Sequence, residues 1–209
     1  MYGQQWRSSL TLANRVTIFR FLFIPVFILL TIYYMDSVSA RAANELLRWG
    51  AMMMFVISCL TDALDGYLAR VRGERTRLGT LLDPLADKFL LLAGLILLTG
   101  PWGRVFQPHI PIWYVLLVIS RDVLLIVGGI VIHLASGHIE VRPRACGKLA
   151  TVFQMTLILW VLIGGSTRWF PRLLWLAAAC TLISAIQYVI DGIRQLEKAH
   201  AHDRTPAAS

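Results

Sequence analysis

Four aspartates in the stretch TDALDGYLARVRGERTRLGTLLDPLADKF, residues 61–89, have the types and spacing to do chemistry. On a helix advancing about 100° per residue, Asp62, Asp65, Gly66 and Ala69 fall at i, i+3, i+4 and i+7 and share one face. Gly79, Asp83 and Asp87 step by four and share a face in the same way. Four carboxylates converging in a partly dry site repel one another, and relief comes from protonation, basic partners or metal ions. Carboxylate oxygens are the ligands that hard cations prefer, so two Mg²⁺ or Mn²⁺ ions bridged by shared aspartates would balance the charge. Gly66, Ala69 and Gly79 lack bulk on the same faces, which either lets helices approach or leaves room for a substrate. Simpler roles exist for each acid taken singly. Asp83 precedes Pro84 and could cap a helix, while Asp62 and Asp65 could pair with Arg70 or Arg77.

The segments that must position these acids are otherwise apolar. Of the 209 residues 57% are hydrophobic and 15% charged, and the mean hydropathy is +0.64; an ordinary soluble domain has roughly 25% charged residues. Apolar runs recur near residues 16–35, 46–68, 78–99, 111–134, 149–165 and 172–193. About 20 apolar residues cross the ~30 Å hydrocarbon core as helix, and these runs are too continuous for the alternating strands of a barrel. The expected fold is all-α, a polytopic membrane protein of six transmembrane helices. A short amphipathic segment with Trp6 and Leu10 precedes the first span, and the absence of an A-x-A cleavage site argues against a secretory signal peptide. Residues 1–198 form the membrane domain, and residues 199–209, with His200 and His202, form a polar tail expected to fray.

The formal charge is +8, a balance that in a soluble chain would suggest nucleic acid. Its distribution excludes that. With the N-terminus inside, Arg7, Arg15, Arg70, Arg72, Arg75, Arg77, Arg142, Arg144, Lys148, Arg194, Lys198 and Arg204 all fall on the cytoplasmic side. Mainly Arg41, Arg48, Arg104, Arg168 and Arg172 remain on the other. This positive-inside asymmetry puts both termini and the acidic cluster at the cytoplasmic face. Cys59, Cys146 and Cys180 stand far apart, without the spacing of a zinc site or a disulfide framework.

The pattern D-x-x-D-G-x-x-A-R-x8-G-x3-D-x3-D, Asp62 to Asp87, resembles the signature of the CDP-alcohol phosphatidyltransferase family at every defining position. The resemblance implies a membrane enzyme that moves the phosphatidyl group of CDP-diacylglycerol to an alcohol and releases CMP. It implies that Asp62, Asp65, Asp83 and Asp87 hold two divalent cations, Mg²⁺ or Mn²⁺, with Asp87 also the candidate general base. It further implies that Gly66, Arg70 and Gly79, with Thr76, lie along the cytidine diphosphate. The segment ANRVT, with Asn14 and Thr17, resembles the family's N-terminal stretch that also touches the nucleotide. A homodimer in the bacterial inner membrane is the expected setting.

The acceptor is less sharply written. LLDPLADKFL and GKLATVFQM resemble the branch that uses glycerol 3-phosphate, a dianion for which Lys88, Arg121, Arg142, Arg144 and Lys148 are the available cations. ISRDVLLIVGG departs from that branch, which usually shows S-R-E and a further arginine where Gly129 stands; its R-D-V form is similar to members using phosphatidylglycerol. Arg121 and Asp122 fall mid-span, where they either meet the acceptor or pair with each other and nearby helices. A cation transporter or proton relay is the contrasting class. It would repeat its acids in both halves of the chain, whereas this sequence has one acidic cluster.

Overall fold

The structure, a computed structural model, describes residues 12–72, 77–136 and 145–203. The apolar runs form α1 (Leu12–Ser39), α2 (Glu45–Arg72), α3 (Arg77–Leu97), α5 (Ile112–Ser136), α6 (Ala145–Ile163) and α7 (Phe170–Asp203), with a single turn, α4 (Gly100–Gly103), after α3. Among the described residues there is no strand. Four segments, Leu22–Ser39, Ile112–Ile132, Cys146–Ile163 and Phe170–Gln195, are long and apolar enough to cross a bilayer. Large apolar side chains on these helices point outward: Leu134 is 80% exposed, Trp175 67% and Ile112 63%. Such a surface is stable only when lipid or another chain covers it. The protein is an integral membrane protein built of helices. Of the six spans expected from sequence, the remaining two correspond to α2 and α3, which at 28 and 21 residues have the length but also carry the acidic stretch.

Two compact units make up the chain, Met1–His109 with Ile158–Gly165, and Ile110–Leu157 with Ser166–Ser209. In the first, α1 packs along both α2 and α3, which touch each other over a shorter stretch. α1 is the principal packing partner of both α2 and α3. The reasons are local. Phe27 and Phe55 are fully buried, their rings 5.6 Å apart across α1 and α2. Gly50 of α2 lies so close to Leu30 that a Cβ there would sit 3.4 Å from Cδ1. Along α3, Phe89, Leu92, Ala93 and Ile96 line an apolar groove of about 290 Å³ with Ile24, Pro25 and Ile28 of α1.

The turns opposite the acidic end are closely specified. At the end of α1, Arg41 N–H donates to Val38 O (3.0 Å) and Ala42 N–H to Ser37 O (2.9 Å), with Arg41 at φ 57°. At the end of α6, Gly164 N–H donates to Val161 O (3.0 Å) and Gly165 N–H to Trp160 O (2.8 Å), with Gly164 at φ 74°. Both are Schellman caps, which satisfy carbonyls left open at a helix end. Asn44 then starts α2, its Oδ1 accepting from Leu46 N–H at 3.1 Å, and Glu45 adds negative charge to the first turn. Arg48 latches this end. It pairs with Glu45 at 3.0 Å and stands 5.9 Å over the Tyr34 ring, whose hydroxyl donates to Glu45 at 3.4 Å.

In the second unit α5 and α7 pack together. Tyr114 is fully buried, Trp113 lies 5.5 Å from Trp175 between ring centroids, and a Cβ on Gly128 would meet the Tyr188 ring at 3.6 Å. α7 continues to Asp203, so helix extends into the stretch expected to be a frayed tail from residue 199. The other part of that tail, residues 204–209, and the amphipathic lead-in, residues 1–11, lie outside the described residues. Among the described residues Cys59, Cys146 and Cys180 form no disulfide, and each is half-buried.

The α6 cap gives a stability test. A Cβ on Gly165 would lie 2.5 Å from Trp160 Nε1, while one on Gly164 would meet nothing nearer than Arg48 Nη1 at 3.5 Å but would force an L-residue into left-handed backbone. Gly164→Ala is expected to cost about 1 kcal/mol from backbone strain. Gly165→Ala should cost more, because an indole must move, and thermal unfolding of both variants in detergent measures the order.

Candidate active site

Because α2 and α3 are continuous helices through the acidic stretch, the helical spacings become real. Asp62, Asp65, Gly66, Ala69 and Arg70 occupy the second half of α2; Gly79, Asp83 and Asp87 occupy the first half of α3, and Lys88 follows directly. Only residues 73–76 separate the two helices, so both sets stand at the same end of the first unit. α1, packed along both, begins at this end too, with Asn14 and Thr17 in its opening turns. Of the side chains, Asp87 is half-buried and Lys88 exposed, flanked by the fully buried Ala86 and the buried Leu90. The side chains of Asn14, Thr17, Asp62, Asp65, Arg70 and Asp83, and the whole of Thr76, lie outside the described residues.

The donor set fits a hard divalent cation. It consists of four carboxylates on two helices of one unit with no imidazole in the stretch, a composition suited to Mg²⁺ or Mn²⁺ rather than to a softer metal. Positions at i, i+3 on one helix and at i, i+4 on the other share a face of each helix register, the spacing that shared coordination would use.

The second unit holds a different charged cluster. Arg121 of α5 is buried, 9% exposed, and its Nη1 donates to Asp122 Oδ1 at 2.9 Å. Nη2 donates to Ser184 Oγ of α7 at 3.0 Å. Gly147, in the first turn of α6, closes the same side: a Cβ there would lie 3.2 Å from Nη2 and 3.5 Å from Ser184 Oγ. Nε is buried and has no hydrogen-bond partner among the described residues. The mutual pairing considered from sequence is present, together with a partner, Ser184, that no spacing signals. Lys148, one residue past Gly147, is exposed, and Arg142 and Arg144 lie outside the described residues. The cations considered for the acceptor therefore divide. Arg121 and Lys148 belong to the second unit, whereas Lys88 belongs to the first.

Comparison with known proteins agrees with the signature. The sequence pattern of the family described as CDP-alcohol phosphatidyltransferase matches residues 10–186. A protein of Mycobacterium tuberculosis strain H37Rv named probable phosphatidylglycerophosphate synthase is 32% identical over 189 residues, covering 88% of this chain and 83% of that one. A Bacillus subtilis strain 168 protein named CDP-diacylglycerol--glycerol-3-phosphate 3-phosphatidyltransferase is 30% identical over 186 residues, 85% of this chain and 92% of its own. The Escherichia coli K12 protein of the same name is 30% identical over 193 residues, 83% and 90% of the two chains. This chain belongs to the CDP-alcohol phosphatidyltransferase family and is a phosphatidyltransferase.

The Arg121 cluster yields its own test. Asp122 is about a quarter exposed at its side chain, so removing it strands a buried guanidinium whose remaining described partner is a neutral hydroxyl. Asp122→Ala should cost about 1–3 kcal/mol, less than a fully buried pair because water reaches the carboxylate. Thermal unfolding in detergent, compared with Asp122→Glu, checks this.

Proposed function

We propose that the protein transfers the phosphatidyl group of CDP-diacylglycerol to glycerol 3-phosphate, giving phosphatidylglycerophosphate and CMP. The observation that carries the reading is the full family signature on two helices of one unit, in a chain similar over most of its length to relatives named for that reaction. Six helices span the membrane in this reading, α2 and α3 included. The acidic end faces the cytoplasm, as the distribution of arginines requires.

Asp62, Asp65, Asp83 and Asp87 hold two divalent cations, Mg²⁺ or Mn²⁺. When bound, these ions supply Lewis-acid polarisation of the donor pyrophosphate and a template for its oxygens. Gly66 and Gly79 leave space for the cytidine diphosphate, which Asn14, Thr17 and Thr76 also contact. Arg70 presents fixed positive charge to the leaving CMP, whose charge grows as its bond to phosphorus breaks. Asp87 accepts the proton of the incoming hydroxyl as that oxygen bonds to phosphorus. The apolar groove beside Phe89 and Ile96 gives a lipid tail a track along α3. Arg121 is the acceptor's principal cation, with Lys88, Arg142, Arg144 and Lys148 contributing positive charge. The working form is a homodimer.

Purified enzyme given CDP-diacylglycerol and Mg²⁺ should make lipid product and CMP with glycerol 3-phosphate, and not with serine or inositol phosphate. Product from phosphatidylglycerol alone would replace this acceptor with a lipid one and make the enzyme a cardiolipin synthase. Absence of CMP release with any alcohol would overturn the activity itself. Asp62→Asn and Asp83→Asn should each lower turnover at least about 100-fold and weaken Mn²⁺ binding. Asp87→Asn should lower kcat by about 100-fold or more with a smaller effect on metal affinity. Chelation by EDTA should abolish turnover, and added Mg²⁺ or Mn²⁺ should restore it.

A further inference from the structure

Ser184 and Gly147 attract no notice in the sequence, one a hydroxyl in the apolar run of α7 and the other a glycine before Lys148. In the structure both close on the same atom. Arg121 Nη2 donates to Ser184 Oγ at 3.0 Å, and the Gly147 backbone leaves it so little room that a Cβ would come within 3.2 Å. Asp122 fixes the other terminal nitrogen at 2.9 Å. A guanidinium has five N–H donors in a rigid fork. Two of them are taken by these partners, and Nε, buried, has none among the described residues. Such a group is oriented but not saturated, and it retains donors for an anion.

We infer that Ser184 and Gly147 are positioning residues that set the angle of the Arg121 guanidinium for the phosphate of the acceptor. The inference rests on the assignment of Arg121 to the acceptor and names what holds it there. Arginine is a long, rotamer-rich side chain, and a planar fork meets a phosphate well only from one direction. Ser184 fixes that direction by hydrogen bond and Gly147 by lack of bulk, so freezing the side chain is not left to the binding step. Neither residue touches the donor in this account. Loss of either should therefore appear in the KM for the acceptor and not in the KM for CDP-diacylglycerol.

The test compares wild type with Ser184→Ala, Ser184→Thr and Gly147→Ala, each purified in detergent and assayed with glycerol 3-phosphate and CDP-diacylglycerol varied separately. Thermal midpoints are measured on the same samples. Ser184→Ala is expected to raise the acceptor KM about tenfold, the worth of one hydrogen bond to a charged group, with the donor KM unchanged. Ser184→Thr, which keeps the hydroxyl, should recover most of the loss. Gly147→Ala should raise the acceptor KM in the same direction by displacing Nη2 from the other side. It also keeps the test open should Ser184→Ala fail to fold. An unchanged acceptor KM in folded Ser184→Ala or Gly147→Ala overturns the inference, as does a loss of kcat and thermal midpoint with no change in KM. Wild-type enzyme that makes no product from glycerol 3-phosphate overturns the acceptor assignment itself, and the inference with it.

Discussion

A carboxylate has no business near hydrocarbon unless something neutralises it, and the arrangement of this protein follows from that constraint. An aspartate at the centre of a membrane helix costs roughly 2.5 kcal/mol or more. Asp62, Asp65, Asp83 and Asp87 lie on two helices whose other halves are apolar. All four stand at the same end, separated by only a four-residue connection, so one pair of cations, as proposed, would relieve them together. This placement also confines the cost to the end where arginines are abundant. The remaining long helices, α1, α5, α6 and α7, carry no such acidic cluster, and each contains a segment apolar enough to span by itself.

Arg121 meets the same constraint by a different route. A single buried cation is matched by one adjacent carboxylate and one hydroxyl, all within the second unit, and needs no metal. Its neutralisation is incomplete in hydrogen-bonding terms, because Nε has no partner among the described residues. In the proposed reaction two charged sets thus serve two substrates: four acids that would take cations, and a tethered cation that would take an anion. Each is costly when empty and is relieved by what it binds, the usual relation between local instability and function.

Much of the helical framework is legible in the sequence because hydrocarbon demands long uninterrupted runs. The run at 78–99 becomes Arg77–Leu97 and that at 111–134 becomes Ile112–Ser136, within two residues at every end. The acidic signature is equally plain, since its information lies in short helical offsets. What escapes the sequence depends on neighbours far along the chain. The bond from Arg121 to Ser184 joins residues 63 apart. The central place of α1 comes from Phe27 meeting Phe55 and from Gly50 admitting Leu30, which no periodicity announces. α7 extends as helix to Asp203 although its end is polar, because hydrophobicity marks where a helix enters lipid and not where its backbone hydrogen bonds stop.

The central claim is that cations hold the acidic helices together, and low-temperature electron paramagnetic resonance of Mn²⁺ bound to the purified protein with CDP-diacylglycerol tests it most directly. The account predicts two Mn²⁺ per chain, close enough for their spins to couple, and loss of the coupled signal when Asp62 or Asp83 becomes asparagine. Tight binding that persists with Asp62, Asp65, Asp83 and Asp87 all changed to asparagine, or no binding at all to the active wild-type enzyme, would contradict it.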